Sequence, residues 1–297
     1  MRILPMLVLL LVFPAFALRA DVGDIAKQAD ALHDQGKYAD ARSMLLDAAA
    51  AADNGKDKAE LYWRAARETL EIGDLADKAK KPSEVVLGYF VEGEGYSDKA
   101  IEADPYNDLG YFWKSANIGR WGQVKGVFNA LSKAAPIRDL LLKVLSINPE
   151  RSDAYFVLGQ LYRELPGWPI SFGNIDWAVS LGRRAVDLNA EQVASGKEKD
   201  TSFDFSTELA KTLHQRGWSA ATRLSEQKKK EAKYDEAKTA FDKGCQYEAA
   251  MTLKNASDAE EAKEIVQDVV AAMEKLPSFT KSQEKDYQKA KDILKGW

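Results

Sequence analysis

One cysteine, Cys245, and two histidines, His33 and His214, are all that 297 residues offer to thiol or imidazole chemistry. A single thiol excludes an intrachain disulfide framework and every multi-thiolate metal site. Two histidines far apart in sequence leave little for a zinc site or a histidine relay, and no cofactor is implied. Beyond residue 21 the chain lacks alternating apolar and polar runs, so strands are not expected. It also lacks excess positive charge: 42 basic against 46 acidic side chains give a formal net charge of −4. That balance removes nucleic acid as a default partner. No long Ser/Gly or Pro-rich stretch interrupts the chain, so residues 21–297 read as one helical-repeat domain. These absences exclude most hydrolases and metalloenzymes, and the chain reads as a non-enzyme.

What is present begins with an apolar run, Ile3 to Leu18, behind the single basic residue Arg2. It ends in Ala15-Phe16-Ala17, the small-x-small pattern that a signal peptidase reads. The run has 16 residues and two prolines, short of the about 20 apolar residues a membrane span needs. Residues 1–20 are therefore expected to be a signal peptide, cleaved after Ala17 or Ala20, and the protein periplasmic or otherwise exported.

Helical segments punctuated by Gly or Pro follow, and the punctuation repeats. Gly36-Lys37-Tyr38-Ala39-Asp40-Ala41, with Leu45 and Ala48 beyond, has the turn and second helix of a tetratricopeptide unit. Tyr234-Asp235-Glu236-Ala237 with Phe241 and Gly244 follows the same grammar. Tyr155, Leu158, Gly159 and Tyr162 match the first-helix signature, with Tyr in the leading place. Asp104-Pro105 and Asn148-Pro149 both close a helix. Shifted by 44 residues, Gly110-Tyr111-Phe112 falls on Ala154-Tyr155-Phe156, and Ser115 on Gly159. Asp108 and Asp153 stand where helix caps are needed. The repeat is longer than the usual ~34 residues, and the extra length falls in Gly119–Pro136. Thr280-x-x-Gln283 is a capping box, with Tyr287, Ala290, Leu294 and Trp297 as one apolar stripe behind it. The expected fold is all-α: a tetratricopeptide-like α-solenoid of ten to thirteen helices in antiparallel pairs.

Residues Ala154–Tyr162, then Leu165-Pro166, Phe172-Gly173, Ala178 and Ala185 carry a family resemblance. The stretch resembles the T-component proteins of tripartite ATP-independent periplasmic (TRAP) transporters. It is also similar to the helical-repeat domain of the regulator-of-microtubule-dynamics family. The resemblance covers roughly residues 85 to 190. The first group implies a periplasmic helical protein, without catalysis, that associates with the transporter's solute-binding component. Lipid-anchored members are expected there, and no cysteine stands at this chain's cleavage point.

Four of the seven tryptophans, Trp113, Trp121, Trp168 and Trp177, lie between Tyr106 and Trp177. Together with Tyr162 and Phe172 they suit either an aromatic-lined pocket for an apolar ligand or peptide, or ordinary repeat core. Trp121 and Trp168 fall in Gly/Pro-rich segments, where core packing is the weaker explanation. Arg120 and Lys125 beside Trp121 suit a partner's acidic rim or a solvated face. The segment Glu164–Gly173 replaces a short turn, as binding loops and rigid struts both do. Lys228-Lys229-Lys230 behind Arg223 reads as a solvated helix face, and His33 as a solvated residue at a helix end. Gly119-x-x-Gly122-x-x-x-Gly126 superficially resembles a phosphate loop, but no strand precedes it and no Gly-Lys-Ser/Thr follows. Thr207, Glu208 and His214 form no nucleophile-base-orienter arrangement, and Cys245 reads as a small buried filler.

These residues lead to an exported tetratricopeptide-like protein that binds a protein partner. On the resemblance, that partner is the solute-binding component of a TRAP-type transporter. An apolar small ligand at the aromatic segment is the accompanying expectation, and self-association into a homo-oligomer stays open. The alternative is a cell-envelope scaffold that binds peptides and no small ligand.

Overall fold

The computed structural model describes residues 21–297. The expected signal peptide lies in residues 1–20, outside the described residues. The described chain is all-α: α1 (Val22–Asp34), α2 (Tyr38–Ala51), α3 (Gly55–Lys78), α4 (Ser83–Ala103), α5 (Asp108–Lys125), α6 (Val127–Ile147) and α7 (Ser152–Glu164) come first. They are followed by α8 (Ile175–Ala194), α9 (Phe203–Arg216), α10 (Ala220–Glu236), α11 (Ala240–Cys245), a 3-10 turn (Tyr247–Ala250), α12 (Asp258–Met273) and α13 (Lys281–Gly296). Consecutive helices up to α8 pack on one another, and short connections between them force antiparallel pairs. The stack is a tetratricopeptide-like α-solenoid, as the sequence repeats led one to expect.

The first turn shows the local logic. Gly36 adopts φ 74°, a left-handed conformation that favours glycine, and Tyr38 opens α2 directly behind it. Ala29, Ala41, Leu45, Leu61 and Ala65 then form a core between α1, α2 and α3. Small residues let these helices approach closely. Asn54, Asn107 and Asn174 cap α3, α5 and α8 with their side-chain oxygens, each such cap contributing about 1 kcal/mol. The capping box at Thr280 is formed, and Tyr287, Ala290, Leu294 and Trp297 do face the core of α9 and α12.

The 44-residue repeat holds down to single hydrogen bonds. Tyr111 donates its hydroxyl to Pro105 O at 3.3 Å, and Tyr155 donates to Pro149 O at 3.0 Å. Asp104 and Asn148 each accept from the amide two residues on, at 3.0 and 3.1 Å.

Several details differ from the sequence reading. Asn107, not Asp108, caps α5, and Asp153 caps nothing. The Asp108 carboxylate instead accepts from Arg151 Nε at 2.8 Å and Asn148 Nδ2 at 3.1 Å, tying one repeat to the next. Gly119–Pro136 is no loop: α5 runs through Gly119 and Gly122, the chain turns at Gly126 (φ 104°), and α6 contains Pro136. Tyr234 does not open a helix either. Ala232 stands where the first repeat has Gly36, and as a strong helix former it lets α10 continue to Glu236.

Beyond α8 the pairing changes. α9 packs on α12 and α13, not on α10. Residues 219–257 leave the stack, crossing α8 by way of α11 and the 3-10 turn before α12 rejoins it. Gly244 of α11 is seated so closely on Tyr155 that a Cβ there would meet the ring at 2.7 Å.

Candidate functional site

Alternate helices touch along the inner layer at α1 with α3, α3 with α5, and α7 with α9. Between α5 and α7 a cleft of about 790 Å³ opens instead, within the size range of ligand and peptide sites. The wall from α5 is built of small residues at helical spacing, Ser115, Ala116, Gly119 and Gly122. Gly122 also lets α6 in: a Cβ there would lie 3.1 Å from Ala130 Cα. Thus the glycines that break the sequence repeat shape the cleft without breaking the helix. Ala130, Leu131 and Ile137 of α6 form the floor, and Val157, Gln160 and Leu161 of α7 the far wall.

Most charge at the rim is already engaged. Arg120 donates to Asp74 at 2.7 Å and lies 3.4 Å from Asp77. Arg163 meets Glu208 at 2.6 Å and Glu164 at 2.8 Å. Lys133 stands over the Trp121 ring, 5.2 Å from its centroid, with no carboxylate partner among the described residues.

Leu165 and Pro166 carry the cleft into the 165–174 connection. Its base is closed by two bonds of 2.9 Å, Gly173 N to Pro166 O and Asn174 N to Tyr162 O. A Cβ on Gly173 would lie 1.9 Å from Leu165 O, so only glycine permits this closure. The tip then projects Trp168 at 89% exposure and Ile170 at 73%. Burying such side chains is favourable, and here they are left in water on a fixed support.

The residues singled out from sequence divide among five environments. Arg120 lines the cleft, and Trp121 sits in α5 against the Leu70–Val86–Phe90 core, not in an irregular insertion. Tyr162, Phe172 and Trp177 come together behind the loop, with ring centroids 5.3 and 5.4 Å from Tyr162. Phe241 completes this aromatic knot, and burial pushes the Tyr162 phenol up to about 12. Trp113 packs between α3 and α4, its buried Nε1 without a hydrogen-bond partner. Lys125 and Trp168 are exposed, Lys125 in the last turn of α5 and outside the cleft.

Sequence reasoning missed Lys133, Gln160 and Arg163, polar residues on helices whose facing direction no motif marked. It also misread the basic run. Lys228 and Lys229 are exposed, but Lys230 and Arg223 are 4% and 1% exposed inside an ionic network. His33 is not merely solvated: its Nδ1 lies 3.0 Å from the fully buried Glu68. His214 stacks on Trp297 with centroids 4.3 Å apart, and Thr207 bonds back to Phe203 O. Cys245 is buried, and burial raises its thiol pKa.

No curated protein matches the chain. Among solved structures it is similar to one described as "MamA RS-1 ArsTM double mutant", with a TM-score of 0.39 and 16% identity over 66% of this chain and 87% of that chain. Residues 25–168 match the family model described as "Regulator of microtubule dynamics protein 1-3", a span from within α1 to the exposed Trp168 that includes the α5 wall and all of α7.

Proposed function

We propose that the protein is a helical-repeat binding protein whose partner is another protein, captured across the α5–α7 cleft and anchored on the adjoining loop tip. The observation that carries this reading is the pair Trp168 and Ile170, held in solvent on a loop whose base is tied beside the cleft. Aromatic anchors on preorganised supports are what dominate protein–protein binding energy. A cleft of about 790 Å³ has room for a partner side chain or an apolar ligand beside that anchor. No catalytic step belongs to this reading.

The finer parts of the proposal rest on the sequence. A transporter's solute-binding component as partner rests on the resemblance of residues 85–190, and export on the run that ends in Ala15-Phe16-Ala17. Intact mass of the protein from its native host tests export: a species beginning after Ala17 or Ala20 supports it, and a dominant intact Met1 species removes it.

The binding surface is tested by photo-crosslinking in the native host with a reactive residue at Ser171. A single stoichiometric adduct is expected, and Trp168→Ala with Ile170→Ala should abolish it. An adduct that survives both substitutions would move the site elsewhere.

A further inference from the structure

α10 is held unlike the long helices of the stack. Its only buried side chains are two cations, Arg223 and Lys230, and its leucine, Leu224, faces water. With Gln227 they form one inward stripe at i, i+4 and i+7.

The stripe docks through polar groups and one cation–π contact, Lys230 Nζ lying 5.7 Å from the Trp218 ring centroid. Arg223 bonds to Glu261 and Ala256 O, and its Nε lies 3.2 Å from Asp258 Oδ1. Gln227 donates to Glu248 O at 2.7 Å and Met251 O at 2.6 Å. Lys230 reaches Asp176 at 2.5 Å, Glu248 at 2.7 Å and Ser180 at 3.3 Å. The other charges facing these groups are Arg183 from α8, bound to Glu248 and Glu261, and Arg216 from α9, bound to Asp176, Glu248 and Asp258. Trp218 covers Arg216, whose guanidinium carbon lies 4.1 Å from the ring centroid.

Two consequences follow from this chemistry. Buried ion pairs roughly offset their own desolvation, so α10 lacks the apolar term that fixes its neighbours. And with α10 lifted, the carboxylates of Asp176, Glu248, Asp258 and Glu261 would face only Arg183 and Arg216, leaving an acidic groove.

The surroundings permit such lifting. α9 and α12 pack directly on each other. Trp218 before α10 is pinned to Asp258 by bonds of 2.9 and 3.0 Å. α11 after it is pinned where Tyr155 donates to Ala240 O at 3.3 Å. α10 lies between these two anchors, and its own side chains form neither of them.

We propose that α10 is a releasable cationic strap, occupying in cis an acidic groove that takes a basic helix of another chain when the strap lifts. The groove is separate from the α5–α7 cleft and does not depend on the reading given for it.

Hydrogen exchange on the full chain tests the first half. Amides of α10 should exchange at least about tenfold faster than those of α9 and α12, as expected of a unit with few buried apolar contacts. Equal protection of all three helices would overturn the strap. The second half uses the full-length double variant Arg223→Ala, Lys230→Ala and a fluorescent synthetic peptide of residues 219–237. The variant should lose α10 protection alone and bind the peptide, whereas a peptide carrying Arg223→Glu and Lys230→Glu should not bind. Binding of neither peptide, or of both equally, would overturn the groove. Should the double variant unfold, the full-length single variant Lys230→Ala takes its place with the same two peptides, and the same outcomes support or overturn the groove.

Discussion

Tyr155 donates its hydroxyl to the carbonyl of Pro149 at 3.0 Å, and the same hydroxyl lies 3.3 Å from Ala240 O of the segment that crosses back over the stack. One phenol thus closes its own repeat and receives α11. Burial pushes its pKa up to about 12, so it stays a donor through the neutral range. Tyr155→Phe should cost about 1 kcal/mol, the net value of a hydrogen bond, while keeping the ring packed. Tyr155→Ala should cost about 3 to 5 kcal/mol, since it also empties the seat of Gly244. Denaturant melts of both variants read the difference.

How far the sequence carried is visible in these same residues. Tyr111 and Tyr155 were legible as repeat positions because local signals, an Asp/Asn-Pro turn and an aromatic behind it, set them. The cleft was not legible. Its walls, α5 and α7, are separated by a whole helix, and Gly119 and Gly122 look like interruptions until α6 is seen against them. Arg223 and Lys230 were illegible for another reason. A stripe of cations on a helix reads as solvent-facing by charge alone, and only the carboxylates of α8, the 3-10 turn and α12 bring it inside.

Trp168 at the tip of one loop and Tyr162 at its base should answer substitution in opposite ways. Trp168 is 89% exposed, so Trp168→Ala should shift stability by less than about 0.5 kcal/mol. Tyr162 is 3% exposed in the aromatic knot, so Tyr162→Ala should cost about 3 to 5 kcal/mol. Thermal melts separate them. Partner capture should be lost for Trp168→Ala in protein that is fully folded. Early melting of that variant would place Trp168 in the core and remove it from the binding surface.

Gly93 faces Asn117 across the α4–α5 contact, where a Cβ would lie 2.2 Å from the Asn117 Oδ1. Asn117 is fully buried and held by its own bond to Trp113 O at 2.9 Å, so it has little room to yield. Gly93→Ala should therefore destabilise by about 1 to 3 kcal/mol, against the usual gain from replacing a helical glycine. Gly95→Ala is the control: nothing lies within 4 Å of its Cβ position, and it should be neutral or mildly stabilising. Chemical denaturation of the pair gives the sign directly.

Acid should loosen the C-terminal half. Burial by itself would raise the Glu208 carboxyl, but the hydrogen bond from Lys289 and the charge of Arg163 outweigh it and hold the group at about 2. Glu248 and Glu261 are likewise held below the ordinary range, burial being outweighed by bonds from Arg216 and Arg183 respectively. A carboxyl whose folded pKa lies below its unfolded value of about 4.3 stabilises the fold above that value and loses the contribution as pH falls. Stability from these three groups should be flat near neutrality and decline from about pH 4.3 toward 2. Asp153 and Glu71 have the opposite sign, because burial raises both. Their effect is to favour the fold at low pH and to weaken it as pH rises through their raised values. Urea melts from pH 2.5 to 7 should therefore show a decline on the acid side that Glu208→Gln makes shallower, while Asp153→Asn raises stability chiefly at neutral pH. A Glu208→Gln profile parallel to that of the unaltered protein would mean that Lys289 and Arg163 do not hold this carboxylate in its charged form.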